Sequence, residues 1–144
     1  MILEIGLSGG LQEFLKPGDI VVVTEGVRDE GTSNQYLEPG VRVESSPRLR
    51  AQLIDTMKRE AVRHHSGPAW TTDGVYRETR GKLRKYKSGG AMAVNMETAA
   101  IFALAKYRNV EAASAQVISD ILTERGWLQA WRHQSLAGST ELVV

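Results

Sequence analysis

Two carboxylates in this sequence, Glu97 and Asp120, each close a short apolar run, in Asn95-Met96-Glu97 and in Ser119-Asp120. Glu97 opens the apolar stretch Glu97 to Tyr107 directly after a strand-like segment. That places its carboxylate over a helix N-terminus with both oxygens free to accept hydrogen bonds. A pair of adjacent hydroxyls, as on a ribose, is the natural partner of two such acceptors. Complementing the helix dipole is the plainer role, and the bare pattern supports both. Asp120 ends an apolar run behind Ser119, where partial desolvation would favour the protonated form that a general acid needs. Capping the next segment is the structural alternative. Gly6-Leu-Ser-Gly-Gly10 and Thr72-Asp73-Gly-Val-Tyr76 complete the set. All four places follow strand-like runs, and open α/β sheets bind ligands where the chain leaves the carboxyl ends of strands.

The elements that must position these groups are readable from apolar spacing. Met1 to Ile5 reads as a buried strand running into a glycine loop, and Ile20 to Thr24 as a strand covered on both faces. Residues 25 to 46 carry charges, glycines and Pro39 without a steady period, which predicts a long functional or oligomer-contacting loop. Ser45-Ser46-Pro47 puts a capping hydroxyl before a proline suited to a first helical turn, and Leu49, Leu53, Ile54, Met57 and Ala61 follow at helical spacing. His64 to Gly67 breaks that helix, Pro68 to Asp73 is a strand, and Arg77 to Lys87 is a short charged helix or loop. Ala91 to Val94 is a strand, Glu97 to Tyr107 a buried helix stopped at Asn109, and Val110 to Ile118 another strand. A tail with Trp127 and Trp131 follows. Alternating strands and helices predict an α/β class with helices on both faces of the sheet.

Composition bounds the function. At 144 residues and 15.9 kDa the chain suits one domain, and 42% hydrophobic with 24% charged residues is a folding composition. A formal charge of +1 argues against nucleic acid or an anionic membrane as partner, and the basic run at Arg77 to Lys87 reads as a solvated face. With no cysteine there is no disulfide, thiolate metal site or Cys nucleophile. His64, His65 and His133 lack metal-ligand spacing, so no metal is expected. Without a signal-like or membrane-spanning apolar run, a cytoplasmic protein is the expectation.

Ala93-Val-Asn-Met-Glu-Thr-Ala-Ala-Ile-Phe-Ala-Leu-Ala105, followed by Val110 through Ser119-Asp120, resembles the carboxyl-terminal signature of the purine nucleoside phosphorylase and uridine phosphorylase family. That signature is V-E-M-E with an apolar helix, then a strand ending in S-D. Ile5-Gly-Leu-Ser-Gly-Gly10, Gly18-Asp-Ile-Val21, Val27-Arg-Asp-Glu-Gly-Thr-Ser33 and Thr71-Thr-Asp-Gly-Val-Tyr76 match further family motifs in the right order. The resemblance implies a three-layer nucleoside phosphorylase-like α/β fold with a mixed sheet, truncated on the N-terminal side, as a single incomplete domain over residues 1–144. It assigns Glu97 to the ribose hydroxyls, Met96 to packing beneath the sugar, and Asp120 with Ser119 to protonation of a purine at N7. Thr72, Asp73, Val75 and Tyr76 fall to the base, and Glu4, Gly6, Leu7 and Ser8 to the phosphate loop. Phosphate is the family's nucleophile and co-substrate, and no other cofactor is implied. An S-D ending favours purine over uridine nucleosides.

The departures carry expectations of their own. Glu4 and Leu7 stand where the resembling enzymes have an Arg and a Ser or Thr on phosphate, and a carboxylate and an isobutyl group are poor company for an anion. Asn95 replaces the first Glu of the signature, and Val75 an aromatic that stacks on the base. The expected protein therefore binds or cleaves purine or uridine ribonucleosides with a degraded phosphate site. A non-catalytic binding or assembly protein and a phosphate-independent nucleosidase are the alternatives. An incomplete sheet predicts an uncovered edge and a homo-oligomer.

Overall fold

The computed structural model describes residues 1–124 and 126–129, so Trp131 and His133 of the tail lie outside the described residues. The strands are β1 (Ile2–Gly10), β2 (Ile20–Asp29), β3 (Val43–Glu44), β4 (His64–Thr72), β5 (Ala93–Asn95), β6 (Ala112–Thr123) and β7 (Gly126–Gln129). The helices are α1 (Pro47–Arg59), α2 (Arg80–Ser88) and α3 (Thr98–Tyr107). The strands form one seven-stranded sheet in the order β3-β2-β4-β5-β1-β6-β7. It is mixed, as expected: β1 runs parallel to β6 and antiparallel to β5, and β4 is parallel to both β2 and β5.

The uncovered edge expected from the sequence is not what forms. Ile20 to Val22 of β2 pair antiparallel with Val117 to Ala115 of β6, so β2, β4, β5, β1 and β6 close into a ring. Each of these strands then has a partner on both sides, and the described edges are the short β3 and β7. Helices cover the ring. Leu53, Ile54 and Met57 of α1 pack on Ile20, Val22, Ala115 and Val117. Phe102 and Ala99 of α3 pack on Val23, Val43 and Ala69, and Leu83 and Tyr86 of α2 on Leu11, Trp70 and Val94.

Several local expectations change for physical reasons. Gly6 to Gly10 is not a loop but the second half of β1, because its missing side chains admit what the neighbouring strand carries. A Cβ on Gly6 would stand 2.9 Å from Oε1 of Gln116, and one on Gly9 would meet Leu122 and come within 3.2 Å of Asp120 Oδ2. Ser119 and Asp120 likewise lie inside β6 and not beyond it. The register passes from Ser8 opposite Ile118 to Gly9 opposite Asp120, a bulge that leaves Ser119 as the extra residue. β2 extends to Asp29 through pairing with β4, which shortens the expected loop of residues 25 to 46. Its remainder is tied down by Arg28, whose guanidinium donates to Ser33 Oγ and to the carbonyls of Leu37, Glu38 and Val41. His64 to Gly67 belongs to β4 because it pairs with Ile20 to Val23. α1 begins as predicted at Ser46 and Pro47, yet the Ser46 hydroxyl accepts from the Ala112 amide at 2.9 Å and not from the helix's own first turn.

Candidate active site

A cleft of about 410 Å³ opens where β1, β5 and β6 meet the turn before α2. That volume is in the range of small-molecule sites, about 300–1,000 Å³. Its walls carry Leu7 and Ser8 from β1, Met96 and Glu97 from the β5–α3 junction, Val75 and Tyr76 from the turn before α2, and Ser119 and Asp120 from β6. The structure thus brings together residues from all four places singled out in the sequence. It leaves out Glu4, Gly6, Thr72 and Asp73, which do not line the cleft.

Glu97 is the residue before α3, and its side chain makes no capping bond to the helix. Oε2 accepts from the Met96 amide at 3.1 Å, and the carboxylate is otherwise exposed at the cleft wall. Asp120 is buried, and both of its oxygens hold donors: Oδ1 takes the Ser119 hydroxyl and Oδ2 the indole N–H of Trp127 on β7.

The former phosphate-loop candidates split. Leu7 presents an exposed apolar side chain to the cleft, whereas Glu4 is on the opposite face of β1. There Glu4 Oε2 accepts from Thr98 Oγ1 at 2.8 Å, and Thr98 Oγ1 in turn receives Asn95 Nδ2 and, at 3.4 Å, Gln116 Nε2. Gln116 Oε1 accepts from Ser8 Oγ at 2.8 Å. Burial pushes the Glu4 carboxyl above the ordinary carboxylate range, against the hydrogen bonds of Thr98, Ser114 and Gln116. Thr72 and Asp73 serve the backbone: Thr72 Oγ1 accepts from the Gly74 amide at 3.4 Å and Asp73 Oδ2 from the Gly31 amide at 2.7 Å.

Glu78, Arg80 and Trp127 are among the cleft residues that no sequence pattern marks. Glu78 follows the short helical turn Val75–Arg77, and no spacing rule marks it. Burial and the facing charge of Asp120 push its carboxyl up to about 7. Arg80 opens α2, which is anchored by Lys82 Nζ on Asp29 at 2.8 Å and by the Tyr86 ring stacked on Trp70 at 4.5 Å between centroids. Within the basic run, Lys82, Arg84 and Lys87 are all in ion pairs. Among the described residues, no three His, Cys, Asp or Glu side chains converge on a metal position. No helix among them is long and apolar enough to cross a membrane.

Comparison with known proteins places this chain in a family. The sequence model of the Phosphorylase superfamily matches residues 1–138. Guanosine phosphorylase of Halorubrum lacusprofundi is 30% identical over 112 residues, which are 76% of this chain and 46% of the relative. A DeoD-type purine nucleoside phosphorylase of Alkaliphilus metalliredigens is 25% identical over 126 residues, 87% of this chain and 54% of the relative. The chain therefore spans about half the length of the curated relatives it matches. In fold it is similar to the purine nucleoside phosphorylase of Toxoplasma gondii in complex with immucillin-H, with a TM-score of 0.89 and 22% identity over 99% of this chain and 59% of that one. It is also similar to the AMP nucleosidase of Bacteroides thetaiotaomicron, with a TM-score of 0.76 and 24% identity over 81% of this chain and 52% of that one. On the extent of the sequence match and the shared fold, this nucleoside phosphorylase-like chain belongs to the Phosphorylase superfamily.

Proposed function

We propose that the chain binds purine ribonucleosides and cleaves their N-glycosidic bond by a route that does not depend on phosphate. The observation that carries this reading is the single cleft shared by Met96, Glu97, Ser119 and Asp120, with the apolar Leu7 in place of a phosphate donor. The ribose hydroxyls meet the Glu97 carboxylate, whose oxygens are free of helix capping, and Met96 packs beneath the sugar. The base lies toward Ser119 and Asp120, beside Val75 and Tyr76, where acid assistance neutralises the charge that develops on the leaving purine. An oxocarbenium-like sugar is open to water, Leu7 gives an anion in the cleft no hydroxyl at position 7, and position 4, where the resembling enzymes have an Arg, faces away from the cleft. We also propose that the chain associates with itself through the outer face of β1 at Leu3, which is 52% exposed and lies outside the cleft.

Calorimetric titration with inosine and 2′-deoxyinosine, with and without phosphate, tests the sugar and anion halves together. A hydrogen bond to a charged group contributes about 1.5–3 kcal/mol, so inosine is expected to bind about 10- to 150-fold more tightly than its deoxy form. Phosphate is expected to change neither affinity nor the rate of hypoxanthine release. Equal affinity for the two sugars removes Glu97 from its role. Release that needs phosphate overturns the water route, and binding without any release leaves a non-catalytic binding protein.

A further inference from the structure

Tyr76 and Trp127 both line the cleft, and only the second is held in place. Tyr76 is 93% exposed, and among the described residues no hydrogen bond or ring contact fixes it. Val75 beside it is aliphatic. Trp127 is set by the strands on which it stands. Thr123 lies opposite Gly126 where β6 turns into β7, and its hydroxyl donates to the Gly126 carbonyl at 2.8 Å and accepts from the Gly126 amide at 3.2 Å. One residue on, Trp127 pairs with Leu122, and Asp120 pairs with Gln129. Residues opposite each other in an antiparallel pair, and residues two apart along a strand, share a face of the sheet. Asp120, Leu122 and Trp127 therefore share one face, and the indole N–H donates to Asp120 Oδ2. Trp127 is 43% exposed, so its ring is pinned at one edge and still forms part of the cleft wall.

We infer that Trp127 is the surface on which the base stacks, and that its two fused rings favour purines over pyrimidines. The inference rests on the nucleoside reading above and deepens it by naming what holds the base. Every nucleobase has a π face, and a bicyclic purine overlaps an indole over more area than a single pyrimidine ring does. A ring already pinned by its N–H loses little freedom when a base settles on it, whereas Tyr76 would have to give up the freedom of an unanchored side chain. The bond to Asp120 also sets the two side chains next to each other, so a base lying on the indole meets Asp120 at its rim.

Proton NMR of the bound base tests the stacking, and this readout needs no variant. On the wild-type chain both carbon-bound protons of hypoxanthine are expected to shift upfield, because protons above an aromatic ring are shielded. In Trp127→Leu that shift is expected to vanish. Calorimetric titration gives the second readout. The wild-type chain is expected to bind hypoxanthine more tightly than uracil, and Trp127→Leu to bind hypoxanthine about 5- to 150-fold more weakly than the wild type, with a smaller loss for uracil. Trp127→Phe lacks the N–H but keeps a ring, so it is expected to bind hypoxanthine more tightly than Trp127→Leu does. Hypoxanthine signals that stay in place on the wild-type chain, a shift that persists in Trp127→Leu, or equal losses in the Phe and Leu variants overturn the inference, while inosine binding leaves the nucleoside reading intact. If the bases behave as described and inosine binds no better than its deoxy form, the ribose half of that reading fails and the stacking stands. A wild-type chain that binds neither hypoxanthine nor inosine overturns both.

Discussion

At the scale of single residues, Glu4 and Asn95 change the charge pattern of a buried site together. The resemblance puts an Arg and a Glu at these positions, a cation beside an anion. Here they are an acid and an amide, joined through the Thr98 hydroxyl, which donates to Glu4 and accepts from Asn95. A glutamate at position 95 would place a second carboxylate on the same hydroxyl, whereas Asn95 supplies a donor and adds no charge. Burial makes Glu4 harder to ionise in the folded chain than in the unfolded one. The stability linked to its protonated form is therefore fully present below the ordinary carboxylate pKa and is lost as pH rises through the raised folded value. Glu4→Gln keeps the hydrogen-bonding shape without that loss. Urea unfolding is expected to show the variant gaining stability over the wild-type chain between about pH 4 and 7. An identical difference at both ends would mean that Glu4 ionises as freely in the fold as outside it.

At the scale of elements, the site depends on how closely α3 approaches β2, since α3 sets the position of Glu97. A Cβ on Gly26 would come within 2.7 Å of the Ala99 Cα, so the helix lies directly on the strand's backbone. Gly26→Val must push α3 away, and overpacking of this kind costs about 1–3 kcal/mol. Denaturant titration measures that loss, and weaker inosine binding beyond it would show that Glu97 has moved. No loss of stability would mean that α3 does not rest on Gly26. The apolar run Glu97 to Tyr107 was legible as a buried helix because nearly every position is apolar. The strand through Gly6 to Gly10 was not, because glycine normally weakens a strand, and only the bulk of Gln116, Leu122 and Asp120 across the sheet explains its use here.

At the scale of the whole molecule, closure of the sheet replaces one route to association with another. An open edge would recruit strands, but β2 pairing with β6 removes it from the ring. What remains is an apolar face on β1, where Leu3 and Leu7 point away from the Glu4 and Ser8 network. Light scattering is expected to show a dimer or larger species, and Leu3→Lys, outside the cleft, to shift it toward monomer. A wild-type monomer at low and high concentration would show that this face needs no second copy.

The sequence by itself determined the class of fold, the order of its main elements and the family, because apolar periodicity and the run from Asn95 to Asp120 are local patterns that survive without coordinates. It also named Glu97 and Asp120, since each stands at the end of an apolar segment. Only the tertiary structure decided that Glu4 faces the interior while Leu7 faces the cleft, because a strand's alternation assigns faces only once its partners are known. It alone brought Glu78, Arg80 and Trp127 into one cleft with Asp120. These residues come from a turn, a helix start and a tail strand, and their meeting depends on the closed ring, a long-range pairing that no local pattern encodes.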